Sequence, residues 1–425
     1  MKSTALRLLV LTTAFLIYKS SFSQEAIQTL DIDLRGDWIN SQATIPIINR
    51  EENKVALFVM DRKEIYPRVF DKDFELLKEM DAVARPSSFN FPFVLGGMQI
   101  SDEKYAIYFH GKDQFVQVSF DFSSGQVSSR QMKLPIKGEL YLTAFSIDNE
   151  FYVLTSSRRT DQINTYKFDG GDNFERKEYN FAGLSKDFET YNLHKVLKKH
   201  GLIRISEYDP GNLTLTHRAN KLFINNSEII ITLDEEQGFT RLLSLKVQDG
   251  SSYYRKYSQY MSECGLGLNE NGVEVKFASS SFVYQDWIFQ TGVCSSHFKL
   301  SVKDRQTGKL ISQFAFEKGG DIDFKNTSII QEGGGTVLSQ NIVKELDKTK
   351  PFLRRMAAST PAIALNSYKG DSLRLTIGSY LEKEETENDD NDYFGAGVAF
   401  FKCYQPKLET LCRSVQGKPT FRFVY

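Results

Sequence analysis

Groups of four short strands, alternating apolar and polar and parted by tight turns, recur along the chain and limit its possible folds more than any other feature. Residues 141–147 (YLTAFSI) meet the turn Asp148-Asn149 and then residues 150–156 (EFYVLTS). A loop over Ser157–Asp161 leads to 162–169 (QINTYKFD), and Gly170-Gly171 leads to 174–179 (FERKEY). Period-two alternation bounded by Gly, Asn and Asp marks half-buried strands joined by turns. The same phrase runs through 281–316 as FVY, WIFQTGV, HFKLSVKD and KLISQFAF. It returns at 43–79, 89–133, 217–257 and, stretched, at 361–412, with second strands starting near Lys54, Lys104, Glu150, Ser227, Asp286 and Asp371.

A repeated supersecondary unit calls for an architecture that repeats it in space. Radial repetition of antiparallel sheets leaves few exposed edges. A pair of sandwiches would need longer crossovers between sheets. The expected fold is therefore all-β, a β-propeller of six four-stranded blades, with seven as the alternative count and the first strand of each blade innermost. Aromatic residues make up 13% of the chain, which suits strands.

Two insertions break the rhythm, at 180–216 and 317–356. In the first, Ser185 as N-cap, an apolar face through Phe188, Tyr191, Leu193, Val196 and Leu197, and Lys198-Lys199 before Gly201 predict one short helix. The second carries the strand-like Ser328-Ile329-Ile330 and the turn Gly333-Gly334-Gly335. At the start of the chain, Lys2 and Arg7 precede the uncharged LLVLTTAFLI, and Ser21-Phe22-Ser23 supplies small residues before Gln24. That pattern predicts a signal peptide over 1–23, too short to span a bilayer, followed by a single propeller domain over 24–425 that is secreted or periplasmic.

With these groups in view, the chain resembles the exported six-bladed β-propeller proteins common in Gram-negative bacteria. The phrases EFYVLTS/QINTYKFD and WIFQTGV/HFKLSVKD carry the resemblance, which is architectural. The Ser-x-Asp-x-Gly-x-x-Trp box of sialidases, the Trp-Asp repeat ends and the kelch double Gly are absent, so no family's functional residues transfer.

Small residues recur where first strands start: Ser41 with Ala43-Thr44, Ser87-Ser88, Thr143-Ala144, Ser279-Ser280-Ser281 and Ser359-Thr360. Steric fit at a crowded axis accounts for them. The fourth group departs, with Thr216-His217-Arg218-Ala219-Asn220 at the same place. Bulky polar groups there must find partners, and Arg85 and Glu139 enter neighbouring first strands from the same end. In propellers of this kind ligands usually meet this face, so Arg85, Glu139, His217, Arg218 and Asn220 form the expected ligand-binding cluster.

Lys and Arg total 53 against 54 for Asp and Glu, so no global field selects nucleic acid or an anionic membrane. No Gly-x-Ser-x-Gly, His-Glu-x-x-His, Walker loop, Cys-x-x-Cys or Gly-x-Gly-x-x-Gly occurs, and the five histidines are scattered. No cofactor is expected. The acidic run Glu382–Asp392 has some calcium-loop character but lacks a Gly at the sharp turn, so it reads as a solvated loop. Asp31/Asp33/Asp37 and Asp321/Asp323 offer weaker oxygen sets. Four cysteines in an exported chain predict two bridges. Topology brings Cys264 to Cys294 across neighbouring blades, and a hairpin centred on Gln405–Leu408 would set Cys403 opposite Cys412. The expected role is a monomeric scaffold that binds a protein or carbohydrate. The alternative is a lactonase-like or glycan-active propeller hydrolase that uses axial carboxylates, with or without a divalent metal.

Overall fold

A computed structural model describes residues 29–34, 42–87, 93–111, 114–134, 136–181, 184, 192–206, 213–225, 227–236, 238–259, 261–264, 277–332, 343–346, 348–367, 372–381, 405–414 and 421–423. The expected leader 1–23, Ser185, the Gly333–Gly335 turn, the acidic run Glu382–Asp392 and Cys403 lie outside the described residues. The chain divides into two compact units, residues 1–133 and 134–425.

In the first unit, β1 (Ala43–Asn49), β2 (Lys54–Met60), β3 (Glu64–Asp71) and β4 (Leu76–Glu79) pair antiparallel in sequence order, and β5 (Val83–Ala84) pairs with the start of β3. A second sheet runs β6 (Phe93–Ser101), β7 (Lys104–His110), β8 (Phe115–Asp121) and β9 (Gln126–Met132), again in order. In β2 the alternating Ala56, Phe58 and Met60 are buried, whereas β7 and β8 are buried on both faces. Phe58 packs on Phe120, with ring centroids 4.9 Å apart, and joins Ile47, Ile65, Ile107 and Val118 in one core. Gly97 stands where the two sheets touch: a Cβ there would meet Ile47 Cδ1 at 2.7 Å and Ile107 Cδ1 at 2.8 Å. The outer strands lie at the surface, and in β4 all four residues, Leu76 and Leu77 included, are exposed.

The second unit opens with β10 (Glu139–Ile147), β11 (Glu150–Ser157), β12 (Gln162–Phe168) and β13 (Phe174–Asn180) in one antiparallel sheet. Next come α1 (Leu193–His200), β14 (Ile203–Ile205) and the single-turn α2 (Leu213–Thr216). The following sheet holds β15 (Asn220–Asn225), β16 (Glu228–Leu233), β17 (Phe239–Lys246) and β18 (Ser252–Ser258), with β14 added parallel to β15. The next is β19 (Ala278–Tyr284), β20 (Trp287–Val293), β21 (His297–Asp304) and β22 (Leu310–Glu317). Finally β23 (Ile329–Glu332), β24 (Val343–Leu346), α3 (Thr349–Ala357), β25 (Thr360–Ser367), β26 (Ser372–Tyr380), β27 (Gln405–Ser414) and β28 (Phe421–Phe423) complete the chain. Their sheet has the order β24-β23-β27-β26-β25, with β28 also on β27.

The fold is thus all-β, and its unit is the four-stranded antiparallel meander of propeller blades, in six sheets among the described residues. Two hydrophobic clusters fill the second unit. One joins Phe145, Leu154 and Tyr179 to Leu222, Ile231 and Leu243, and the other joins Phe223 and Ile230 to Phe282, Phe289, Phe352 and Leu375.

Among the described residues of the first insertion, a helix spans Leu193–His200 with Asn192 as its cap: the Asn192 side chain accepts from Lys195 N at 3.1 Å. Three expectations need correction. The second insertion contains a helix too, since Phe352, Leu353, Met356 and Ala357 share a buried face and Pro351 falls in the first turn, where a missing N–H costs little. The last sheet is not four consecutive strands, because β23 arrives from that insertion to pair with β27. Gln405–Leu408 lies inside continuous β27 and is not the centre of a hairpin, which removes the ground for pairing Cys403 with Cys412. The bridge between Cys264 and Cys294 is present, with Cα atoms 5.9 Å apart, among buried Met261 and Phe277.

Candidate functional site

The five residues expected to form a cluster each have protein partners. Arg85, in the first unit, donates from its amide to Lys63 O at 2.6 Å and from Nη1 to Asp61 O at 2.9 Å, and its guanidinium lies 5.8 Å from the centroid of the Phe109 ring. Glu139 is tied across its whole sheet. It accepts from Thr155 Oγ1 on β11, from Tyr166 OH on β12 at 3.0 Å and from Arg176 Nη2 on β13 at 3.0 Å. His217 stacks on Tyr380, with ring centroids 4.3 Å apart, and its Nδ1 lies 3.3 Å from Leu213 O. Asn220, fully buried, donates to Gly201 O at 2.8 Å and Val196 O at 3.4 Å, and so satisfies the carbonyl that follows the last turn of α1. Arg218 is exposed beside it.

Polar residues that sequence reasoning passed over gather around these first strands. Lys221 of β15 and Asp234 pair at 2.7 Å with both side chains buried. Asp234 also accepts from Ser281 N at 2.9 Å, from Ser281 Oγ at 2.8 Å and from Thr240 Oγ1 at 2.6 Å, which binds β15 to β19 through one carboxylate. Arg241, also buried, pairs with Glu235 at 3.2 Å and with Glu236. The signal was present in Asp234-Glu235-Glu236, an acidic run at the end of an apolar strand, where charges must be matched from nearby.

A concavity lies at the opposite end of β15. A cleft of about 630 Å³ opens between two neighbouring sheets, lined by four turns. The β15–β16 turn contributes Asn225, Ser227 and Glu228; the β17–β18 turn contributes Lys246, Gln248 and Asp249. Gln285 and Asp286 come from the β19–β20 turn, and Arg305 and Gln306 from the β21–β22 turn. Gln285 adopts a left-handed φ of 50°, which lets a tight hairpin carry Asp286 to the rim.

The floor of the cleft is rigid. Arg305 Nη1 donates to Glu228 Oε1 at 2.8 Å and to Tyr253 OH at 2.9 Å, and Nη2 donates to Glu228 Oε2 at 2.5 Å and to Asp286 Oδ1 at 3.4 Å. Nε donates to Gln285 O at 2.8 Å, so every guanidinium N–H is engaged. Burial works against this charge, but the bonds and charges of Glu228 and Tyr253 together outweigh it and raise the Arg305 pKa. Ser244 Oγ adds a bond to Glu228. The rim is wet: the Asp286 side chain is 69% exposed, and the Ser251 hydroxyl and amide hold the Asp249 carboxyl below its usual range. Gln248 Nε2 donates to Ser227 Oγ at 2.8 Å. With Arg305 neutralised by Glu228, the lining keeps Asp249, Asp286 and Lys246 beside four amides, a nearly neutral surface rich in donors and acceptors.

Among the described residues, no three His, Cys, Asp or Glu side chains gather in a way that could hold a metal, and no helix is long and apolar enough to cross a membrane. No protein-family model and no curated protein matches the chain. Among solved structures it is similar to Kluyveromyces lactis Hsv2, at 10% identity over 82% of this chain and 95% of that one, with a TM-score of 0.30. It is also similar to the exo-β-1,3-galactanase of Phanerochaete chrysosporium, at 10% identity over 89% and 93% of the two chains, with a TM-score of 0.30. A post-proline cleaving enzyme from Rickettsia typhi matches at 9% identity over 90% of this chain but 45% of that one, with a TM-score of 0.36.

Proposed function

We propose that the chain is an exported, six-bladed β-propeller scaffold whose polar cleft binds a carbohydrate. The observation that supports this reading most is the contrast between the floor and the rim of the cleft. The floor is locked by the Arg305–Glu228–Tyr253 bonds, while the rim presents Asp249, Asp286, Gln248, Gln306 and Asn225. Planar carboxylates and amides can accept from and donate to neighbouring hydroxyls of a sugar ring, and a preformed site orders little on binding. A cleft that is nearly neutral after internal pairing favours an uncharged, hydroxyl-rich ligand over an anionic one. Export fits the charged and apolar start of the chain and the Cys264–Cys294 bridge.

The test is a panel of neutral and anionic oligosaccharides, followed by calorimetry on the best binder. We expect a neutral glycan to bind, and Asp286→Ala and Gln306→Ala to weaken it at least tenfold without change in circular dichroism, as loss of a charged or paired hydrogen bond would. If no glycan binds, or if both variants bind as tightly as the parent, the assignment fails.

A further inference from the structure

At the other end of β21 from the cleft, a hydroxyl, an imidazole and a carboxylate stand in line. Ser296 Oγ lies 2.9 Å from His297 Nδ1, and Nε2 of the same ring lies 3.8 Å from Glu317 Oε2. The β-ladder sets this spacing. His297, the first residue of β21, pairs directly with Glu317, the last of β22, and Ser296 precedes it in the β20–β21 turn. The turn is held from several sides. Cys294 N donates to His297 O at 2.9 Å and Lys318 N to Ser296 O at 2.8 Å. Cys294, with its sulfur 3.4 Å from Ser296 Oγ, is bridged to Cys264. Ser296 and His297 are half-buried and the Glu317 side chain is 69% exposed, so this end of the sheet meets solvent.

A nucleophile within hydrogen-bond reach of a base, with the base facing a third group, is the arrangement that activates serine for acyl transfer. We propose that Ser296 is an acyl-accepting nucleophile acting on small carboxylic esters, with His297 as its general base and Glu317 as the positioning residue for the ring. With the imidazole proton on Nε2, toward Glu317, Nδ1 accepts the proton of the Ser296 hydroxyl as Oγ attacks the ester carbonyl. The C–Oγ bond forms and the ester C–O bond breaks, the leaving alkoxide taking the proton back from His297. Water then adds to the acyl-serine, again with His297 as base, and releases the acid with Ser296 restored. The sum is ester plus water giving acid plus alcohol, and no other reactant is needed. This site is independent of the cleft and does not rest on its ligand.

A fluorophosphonate probe with peptide mapping, together with hydrolysis of p-nitrophenyl acetate, tests it on the mature chain. We expect one phosphonyl adduct, on Ser296, and none there in Ser296→Ala. The labelling rate should fall on the order of 10²-fold in His297→Gln and several-fold in Glu317→Gln. Absence of an adduct at Ser296, or labelling of His297→Gln at the parental rate, overturns the proposal. Should His297→Gln fail to fold, Glu317→Gln decides: its side chain is exposed, and unchanged labelling there overturns it equally.

Discussion

Lys303 shows how a single half-buried cation shapes the response to pH. Its Nζ donates to Ser258 O and Gln290 Oε1, both at 2.8 Å, and lies 6.0 Å from the Tyr257 ring centroid. Burial, with repulsion from Lys299, draws the ammonium down from 10.5 to about 8. Below pH 8 the lysine is charged in both states and the folded chain bears the whole penalty. From about 8 to 10.5 the unfolded chain binds more protons, so this group makes stability rise with pH. The tyrosines pull the other way: burial raises Tyr105 and Tyr141 to about 12, so their contribution falls once unfolded tyrosine ionises near 10. Replacing Lys303 by Met isolates the first effect. In urea titrations at a series of pH values, the difference between parent and variant should shift in favour of the parent between pH 8 and 10.5, and parallel curves would contradict it. At this scale the sequence was a poor guide. Glu139 and Asn220 stood out as bulky polar groups near strand starts, yet the partners that absorb them come from strands and a helix end whose pairing only the fold reveals.

Elements were far more legible than side chains. Second strands expected to start near Lys54, Lys104 and Glu150 start there, and those expected near Ser227, Asp286 and Asp371 start one residue later. Alternation and turn residues are local signals, and hairpins depend on little else. What escaped notice was the parallel strand β14, a non-local pairing, and α3, whose four-residue apolar face is brief. The cleft escaped for the same reason, since Glu228 and Arg305 sit 77 residues apart in the chain yet form one bidentate pair between neighbouring sheets. That pair should behave as a unit. Glu228→Ala strands a guanidinium that is 3% exposed and should cost about 3–5 kcal/mol, whereas Glu228→Leu with Arg305→Met should cost markedly less. Chemical denaturation of the two variants measures the difference, and a double variant as unstable as the single one would mean that the pair is not the seam between these sheets.

For the molecule as a whole, the Cys264–Cys294 bridge closes a 30-residue loop. Loop-closure entropy values such a bridge at about 3–4 kcal/mol, so Cys264→Ser with Cys294→Ser should lower the denaturation midpoint by a corresponding amount. Intact-mass measurement of the protein from each cell fraction checks compartment and chemistry together. The expected species starts at Gln24, and peptide mapping should find Cys264 and Cys294 alkylated only after reduction of this bridge. A chain that still begins at Met1, or one whose Cys264 is alkylated without reduction, would contradict the export reading.

The last sheet carries a consequence for the order of folding. Strand β23 finds its partner in β27, where Ile330 pairs with Lys407, while the other sheets are built from strands much nearer one another in sequence. Contacts that distant in sequence form late. A chain emerging from its N-terminus can complete every earlier sheet before Gln405 arrives, and until then β23 and β26 each wait with an open edge. Unpaired edges of this kind invite another chain. Pairing of β27 is therefore the closing step of assembly, and chains shortened before Gln405 should be captured by chaperones or by one another while their first five sheets are already formed.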